Sequence, residues 1–190
     1  MTMDFAVNHL GSWDDLLNSV KIRRSYDALF FKPVCLITTI DGVLNGEIRP
    51  DAIDPDVVME RFRLCVWHVY PQRAELGWRP FWHLSNDDAW VFTKLGRRVK
   101  PGDFGLRRKP ESRGQLLSRI DHVGVPTAML PLWRSPDSLR RLREALLAML
   151  ETDDDEASQT MAAALRSQRQ IGLVLPSEDP TVSRMLSTRV

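Results

Sequence analysis

Little in this sequence invites metal or covalent chemistry. It has only two cysteines, Cys35 and Cys65, and neither has a metal-ligand neighbour at close spacing, so no zinc motif is present. Both lie in apolar runs, which predicts buried free thiols and fits a reducing cytosol. The four histidines, His9, His68, His83 and His122, are too scattered for a His/Asn/His nuclease constellation. No acid is followed by the Glu-x-Lys or Asp-x-Lys triplet of another nuclease class. A phosphate-cradling P-loop and a G-x-S-x-G nucleophile elbow are also missing. No apolar run approaches the roughly 20 residues of a membrane span, and the first residues do not read as a signal peptide. The expectation is a cytoplasmic protein without a catalytic motif, a metal or a cofactor.

Net charge is also scarce, at +1 over 190 residues, with 43% hydrophobic and 27% charged residues. That composition suits one globular domain able to bury a sizeable core. The charge is unevenly placed. Lys94, Arg97, Arg98, Lys100, Arg107, Arg108, Lys109, Arg113 and Arg119 face only Asp103 and Glu111 in the same segment. The acidic run Glu151-Thr152-Asp153-Asp154-Asp155-Glu156 balances them elsewhere. A neutral chain with a basic stripe is a candidate polyanion binder. Arg107, Arg108, Lys109 and Arg113 are the expected phosphate contacts. Arg23 and Arg24, with Lys21, end the first helix. They either favour its dipole there or touch phosphate.

The elements read mainly as helices. Ser12 caps a first helix carrying Trp13, Leu16, Leu17 and Val20. Pro33 suits the first turn of a helix in the nearly all-apolar run from Phe30 to Ile40, which extends about ten residues from Pro33 to Asp41-Gly42 or Gly46. This run could also be a buried strand. Helix is chosen, as the central buried one, with Phe31 and Lys32 at its N-terminal mouth. Asp54-Pro55 opens a third helix that ends before Pro71. A helix from about Ser112 to Ile120 would project Arg113 and Arg119. Ser135-Pro136 opens the clearest helix, with Leu139, Leu142, Leu146 and Leu150 on one face, after an apolar plug at Leu130-Pro131-Leu132-Trp133. Met161 to Gln170 reads as one more. The stretch from Arg79 to Val91 reads as a β-hairpin whose first strand starts at Pro80. On that strand Trp82 and His83 would point to opposite faces, and Asp87 and Asp88 would form the turn. Trp82 and Trp90 are expected in the core. The class is therefore α+β, mainly α-helical with a small β-hairpin or sheet. Residues 1–150 are expected to form one domain, and 151–190 an acidic linker, a short helix and a weakly ordered tail.

The order Phe31-Lys32-Pro33 before an aliphatic helix, then Pro80-Phe81-Trp82-His83-Leu84, then Asp88-Ala89-Trp90, resembles one family. It is similar to the sulfur-binding domain of phosphorothioate-dependent restriction proteins, usually found ahead of an HNH nuclease. Members commonly show Lys or Arg and Pro before an aliphatic helix, then Tyr-Pro-Phe-x-x-Leu, then Asp-Gly-x-Trp. Their Leu-Pro-x-Leu-Trp segment resembles Leu130 to Trp133. The likeness covers roughly Leu16 to Leu150. Arg79 stands where many members have Tyr, and Ala89 is taken to replace the turn glycine. Tyr70-Pro71 is a lesser rival anchor.

The resemblance implies a non-catalytic module for phosphorothioate-modified double-stranded DNA, acting with a partner or fused nuclease and with no membrane partner. It also implies a sulfur cavity lined by Phe31, Lys32, Arg79, Pro80 and His83. Sulfur is larger, softer and a poorer hydrogen-bond acceptor than oxygen, so an apolar cavity favours it. The aliphatic stem of Lys32 would line that cavity while its ammonium meets phosphate. The alternatives are a reader of other modified or plain duplex DNA, a nuclease with an unusual site, and a helical protein-interaction domain.

Overall fold

The computed structural model describes residues 12–22, 31–72, 78–107 and 109–171. The described elements are α1 (Trp13–Ile22), α2 (Phe31–Leu44), α3 (Pro55–Val69), α4 (Trp78–Asn86), β1 (Val91–Lys94), β2 (Arg97–Arg98), α5 (Arg113–Ser118), β3 (His122–Gly124), α6 (Leu130–Trp133), α7 (Pro136–Glu151) and α8 (Glu156–Ile171). Short 3-10 segments cover Pro101–Arg107 and Thr127–Met129. The protein is mainly α-helical with a small antiparallel sheet, ordered β2-β1-β3.

The helix starts follow local chemistry. The Ser12 hydroxyl accepts from the Asp15 N–H, Asp54 from Asp56, Ser112 from Gln115 and Ser135 from Ser138. Each supplies a partner to an N–H that the first turn would leave orphaned. Pro55 and Pro136 follow their caps directly, where a missing N–H costs nothing.

Helix α2 is the centre. Its residues from Pro33 to Ile40 are all buried. Helices α3, α4 and α7 pack against it. Its two buried threonines are satisfied internally, since Thr38 and Thr39 both donate to the Cys35 carbonyl. Two buried arginines tie the layers. Arg61 of α3 donates to the Thr38 carbonyl and pairs with Glu47. Arg143 of α7 forks onto Asp41 of α2 at 2.6 and 3.2 Å and also reaches the Leu165 carbonyl of α8. A guanidinium suits this role because its planar donors can serve several acceptors at once. Helix α8 begins within the acidic run, at Glu156, and buries Met161, Ala162 and Leu165 against α7 and α3.

The sheet hangs from α4 through aromatic contacts. Phe81 stacks at 4.9 Å on Trp90 and 5.1 Å on Phe92. Trp82 meets Phe92 at 6.0 Å and Phe104 edge-on at 4.8 Å. The Trp90 indole donates to the Phe81 carbonyl. Both Trp82 and Trp90 are buried, as their bulk implies.

The expected strand at Pro80 is a helix. Pro80 lies in the first turn of α4, another place where a missing N–H is harmless. The burial period decides it. Phe81, Trp82, Leu84 and Ser85 are inside, while Arg79 and His83 are outside. That is a 3.6-residue repeat rather than an alternation. The helix stops at a left-handed Asp88 (φ 55°), and the Ala89 N–H returns to the Leu84 carbonyl. This six-to-one bond is a Schellman ending. The true hairpin is β1–β2, turning at Leu95-Gly96, with Thr93 opposite Arg98 and Lys94 opposite Arg97.

Candidate nucleic-acid interface

The helical form of α4 places three candidate side chains together. At about 100° per residue, Arg79, Pro80 and His83 fall within one arc of about 100°, with His83 one turn beyond Arg79. A strand would have split Pro80 from His83. Pro80 is buried, whereas Arg79 and His83 are exposed. The Arg79 guanidinium lies 5.6 Å from the centre of the Trp78 ring, within cation–π range. The lip of this helix therefore carries a cation and an imidazole beside a buried pyrrolidine ring.

The α2 motif reaches the same helix through its lysine. Lys32 Nζ lies 2.5 Å from Asp87 Oδ2, immediately past the end of α4. The two side chains are 14% and 1% exposed. The ammonium expected at a phosphate is thus bonded to a buried carboxylate. That bond fixes the lysine stem against the turn after α4. Asp87 sits one helical turn beyond His83, and α4 rises about 10 Å from Pro80 to Asp87. Phe31 lies deeper. It is buried and meets Phe62 edge-on at 5.6 Å.

Asp87 and Asp88 are more than turn formers. A cation neutralises each, Lys32 for Asp87 and Arg98 of β2 for Asp88. Two uncompensated acids here would repel an approaching phosphodiester. The left-handed residue of the turn is Asp88 rather than Ala89. Aspartate tolerates that conformation better than most side chains.

Around this centre the basic segment is exposed. Lys94, Arg97, Arg98, Lys100, Lys109, Arg113 and Arg119 all face solvent. Arg113 pairs with Asp56 at 2.5 Å, both partners being exposed, and such a pair contributes little. Among the described residues Arg97, Lys109 and Arg119 make no ion pair. Of the expected phosphate contacts, Arg23, Arg24 and Arg108 lie outside the described residues. Arg107 ends the 3-10 segment.

The thiols belong to the core. Cys35 and Cys65 are free and buried. Burial raises both, the Cys65 thiol to about 12, with the nearby Asp41 carboxylate adding to the rise. Among the described residues no three of His, Cys, Asp or Glu gather to hold a metal ion, and no helix is long and apolar enough to cross a membrane.

The sequence marked Asp87 only as a turn former, and its pairing with Lys32 was not visible there, because the left-handed Asp88 beside it shows only in the backbone.

Comparison with known proteins finds no family model, no curated protein and no solved structure that matches this chain.

Proposed function

We propose that this protein is a non-catalytic DNA-binding module that recognises phosphorothioate-modified duplex DNA. The observation that carries this reading is the Lys32–Asp87 pair. It holds Lys32 of the first motif, 55 residues away in sequence, against the residue that directly precedes Asp88-Ala89-Trp90. Under this reading the Pro80 ring is the apolar wall for sulfur, and the Lys32 stem, fixed at Asp87, borders the far end of the same helix. Water leaves that wall readily, and a phosphate oxygen placed there would lose hydration without gaining a donor. Arg79 and His83 meet the remaining oxygens of the modified linkage. Arg97, Lys109 and Arg113 contact neighbouring phosphates and supply most of the affinity. The expected discrimination is modest, about 1–3 kcal/mol by analogy with apolar pockets. Cleavage would fall to a partner or fused nuclease.

A second reading keeps the DNA and drops the sulfur. Arg79 and His83 are both polar and exposed at the lip. They would serve an ordinary phosphate as well as a modified one. Binding to matched modified and plain duplexes separates the two. Tighter binding of the modified duplex supports the sulfur reading, and equal binding supports the second.

A further inference from the structure

The β1–β2 hairpin ends in an unusual turn. Leu95 and Gly96 both have positive φ, 49° and 72°, which makes a two-residue type I′ turn. Asn-Gly is the pair that such a turn favours. A leucine in this conformation is strained, because its Cβ crowds the backbone. It is also 85% exposed, so no burial of its side chain offsets the strain.

The surroundings hold it there. The Leu95 N–H donates to an Asp121 carboxylate oxygen at 2.5 Å, and the Asp121 N–H donates to the Thr93 carbonyl. Lys94 Nζ donates to the Ser118 carbonyl at the end of α5. The pairs Thr93–Arg98 and Lys94–Arg97 lock one side of β1, and Thr93–His122 locks the other. The leucine is thus presented on a rigid ribbon. Lys94 and Arg97 flank it, and Arg119 follows the Ser118 that anchors Lys94. Asp121 is the acid beside the tip, and its carboxylate is engaged by the Leu95 N–H.

We infer that this hairpin tip is a minor-groove wedge, with Leu95 inserting at a base step while Lys94, Arg97 and Arg119 contact the flanking phosphates. The inference rests on the DNA-binding reading above and adds a contact separate from the proposed sulfur cavity. The charge collar selects the partner. Two cations flanking one apolar side chain, with Arg119 next to the residue that anchors Lys94, fit a polyanion that also offers an apolar slot. Stacked bases between phosphates are such a surface, and apolar side chains on ribbons kink duplexes in this way. A single leucine is too small to hold a lipid bilayer without further anchors.

The test uses Leu95→Asn and Leu95→Gly in the full chain. Both residues relieve the turn, so both variants should melt at or above the wild type. Duplexes carry one phosphorothioate and 2-aminopurine at successive flanking positions. The wild type should raise 2-aminopurine fluorescence at one step. Both variants should lose that rise and bind about tenfold more weakly. Variants that melt lower than wild type, or that bind and unstack as wild type does, overturn the wedge. So does wild-type binding with no fluorescence rise at any position, and in that case the DNA reading stands. Failure of the wild type to bind any duplex overturns both. Phosphatidylglycerol vesicles form the remaining arm. Vesicle binding lost in the variants, with duplex binding unchanged, assigns the tip to membranes and overturns the groove assignment.

Discussion

Lys32 at the start of α2 and Asp87 just beyond α4 form a 2.5 Å ion pair with the carboxylate almost fully buried. A buried pair is weak evidence of net stability, because desolvation offsets most of its attraction. Breaking it from one side is another matter. Asp87→Ala should cost about 2–4 kcal/mol, since it leaves an ammonium in a largely dry site. The double variant Lys32→Met/Asp87→Leu should recover most of that loss. Urea unfolding of Lys32→Met, Asp87→Leu, their double variant and wild type measures the coupling. Additive losses would show that the two groups do not act as a unit.

Pro80→Ala separates folding from recognition. Pro80 sits in the first turn of α4, where alanine keeps the helix and restores no missing bond. Stability should change by about 1 kcal/mol or less. Affinity for a phosphorothioate duplex should fall about tenfold, with affinity for the plain duplex unchanged. Parallel titrations of both duplexes, with a thermal melt of the variant, check this. An equal loss on both duplexes would move Pro80 out of the cavity wall.

The helices were legible because their signals are local. Ser12, Asp54 and Ser135 each cap within three residues, and Leu139 to Leu150 repeats at helical spacing. The fold class followed from those elements. The segment at Pro80 was misread because its five buried residues, Pro80, Phe81, Trp82, Leu84 and Ser85, lie among polar residues in a window too short to fix a period. A proline also suits a strand start and a helix first turn equally. The candidate site was only half legible. Pro80, His83 and Lys32 could be named from short motifs. The Lys32–Asp87 bond could not, because it depends on the packing of α2 against α4. The Leu95 turn was hidden for a different reason. Leucine is not a residue that announces a type I′ turn, so only the backbone angles show it.

The free cations of the basic segment give a salt-dependence test. Arg97→Ala and Lys109→Ala should each weaken modified and plain duplexes about equally. Each should reduce the slope of log affinity against log salt by about one. Affinity measured between 50 and 200 mM salt, on the order of the usual working range, reads both. An unchanged slope would show that the residue faces solvent rather than phosphate.

The thiols give a pH test. Cys35 and Cys65 are neutral in the folded and unfolded chains at neutral pH, since burial raises them in the fold. Above about pH 8.5 the unfolded thiols ionise while the buried ones do not. Their neutral form therefore supports the fold fully below that pH. This contribution declines as pH rises towards the folded value, about 12 for Cys65. Replacing both by serine or alanine should flatten the loss of stability between about pH 9 and 11. Urea midpoints across that range measure it. In the native protein both thiols should also react slowly with a thiol-exchange reagent until denaturant is added.

The most direct measurement is an equilibrium titration of the full chain with two duplexes of identical sequence, one carrying a single phosphorothioate. The account predicts tighter binding of the modified duplex by about 1–3 kcal/mol, roughly five- to 150-fold, with both affinities falling as salt rises. Equal affinity for the two duplexes would contradict it.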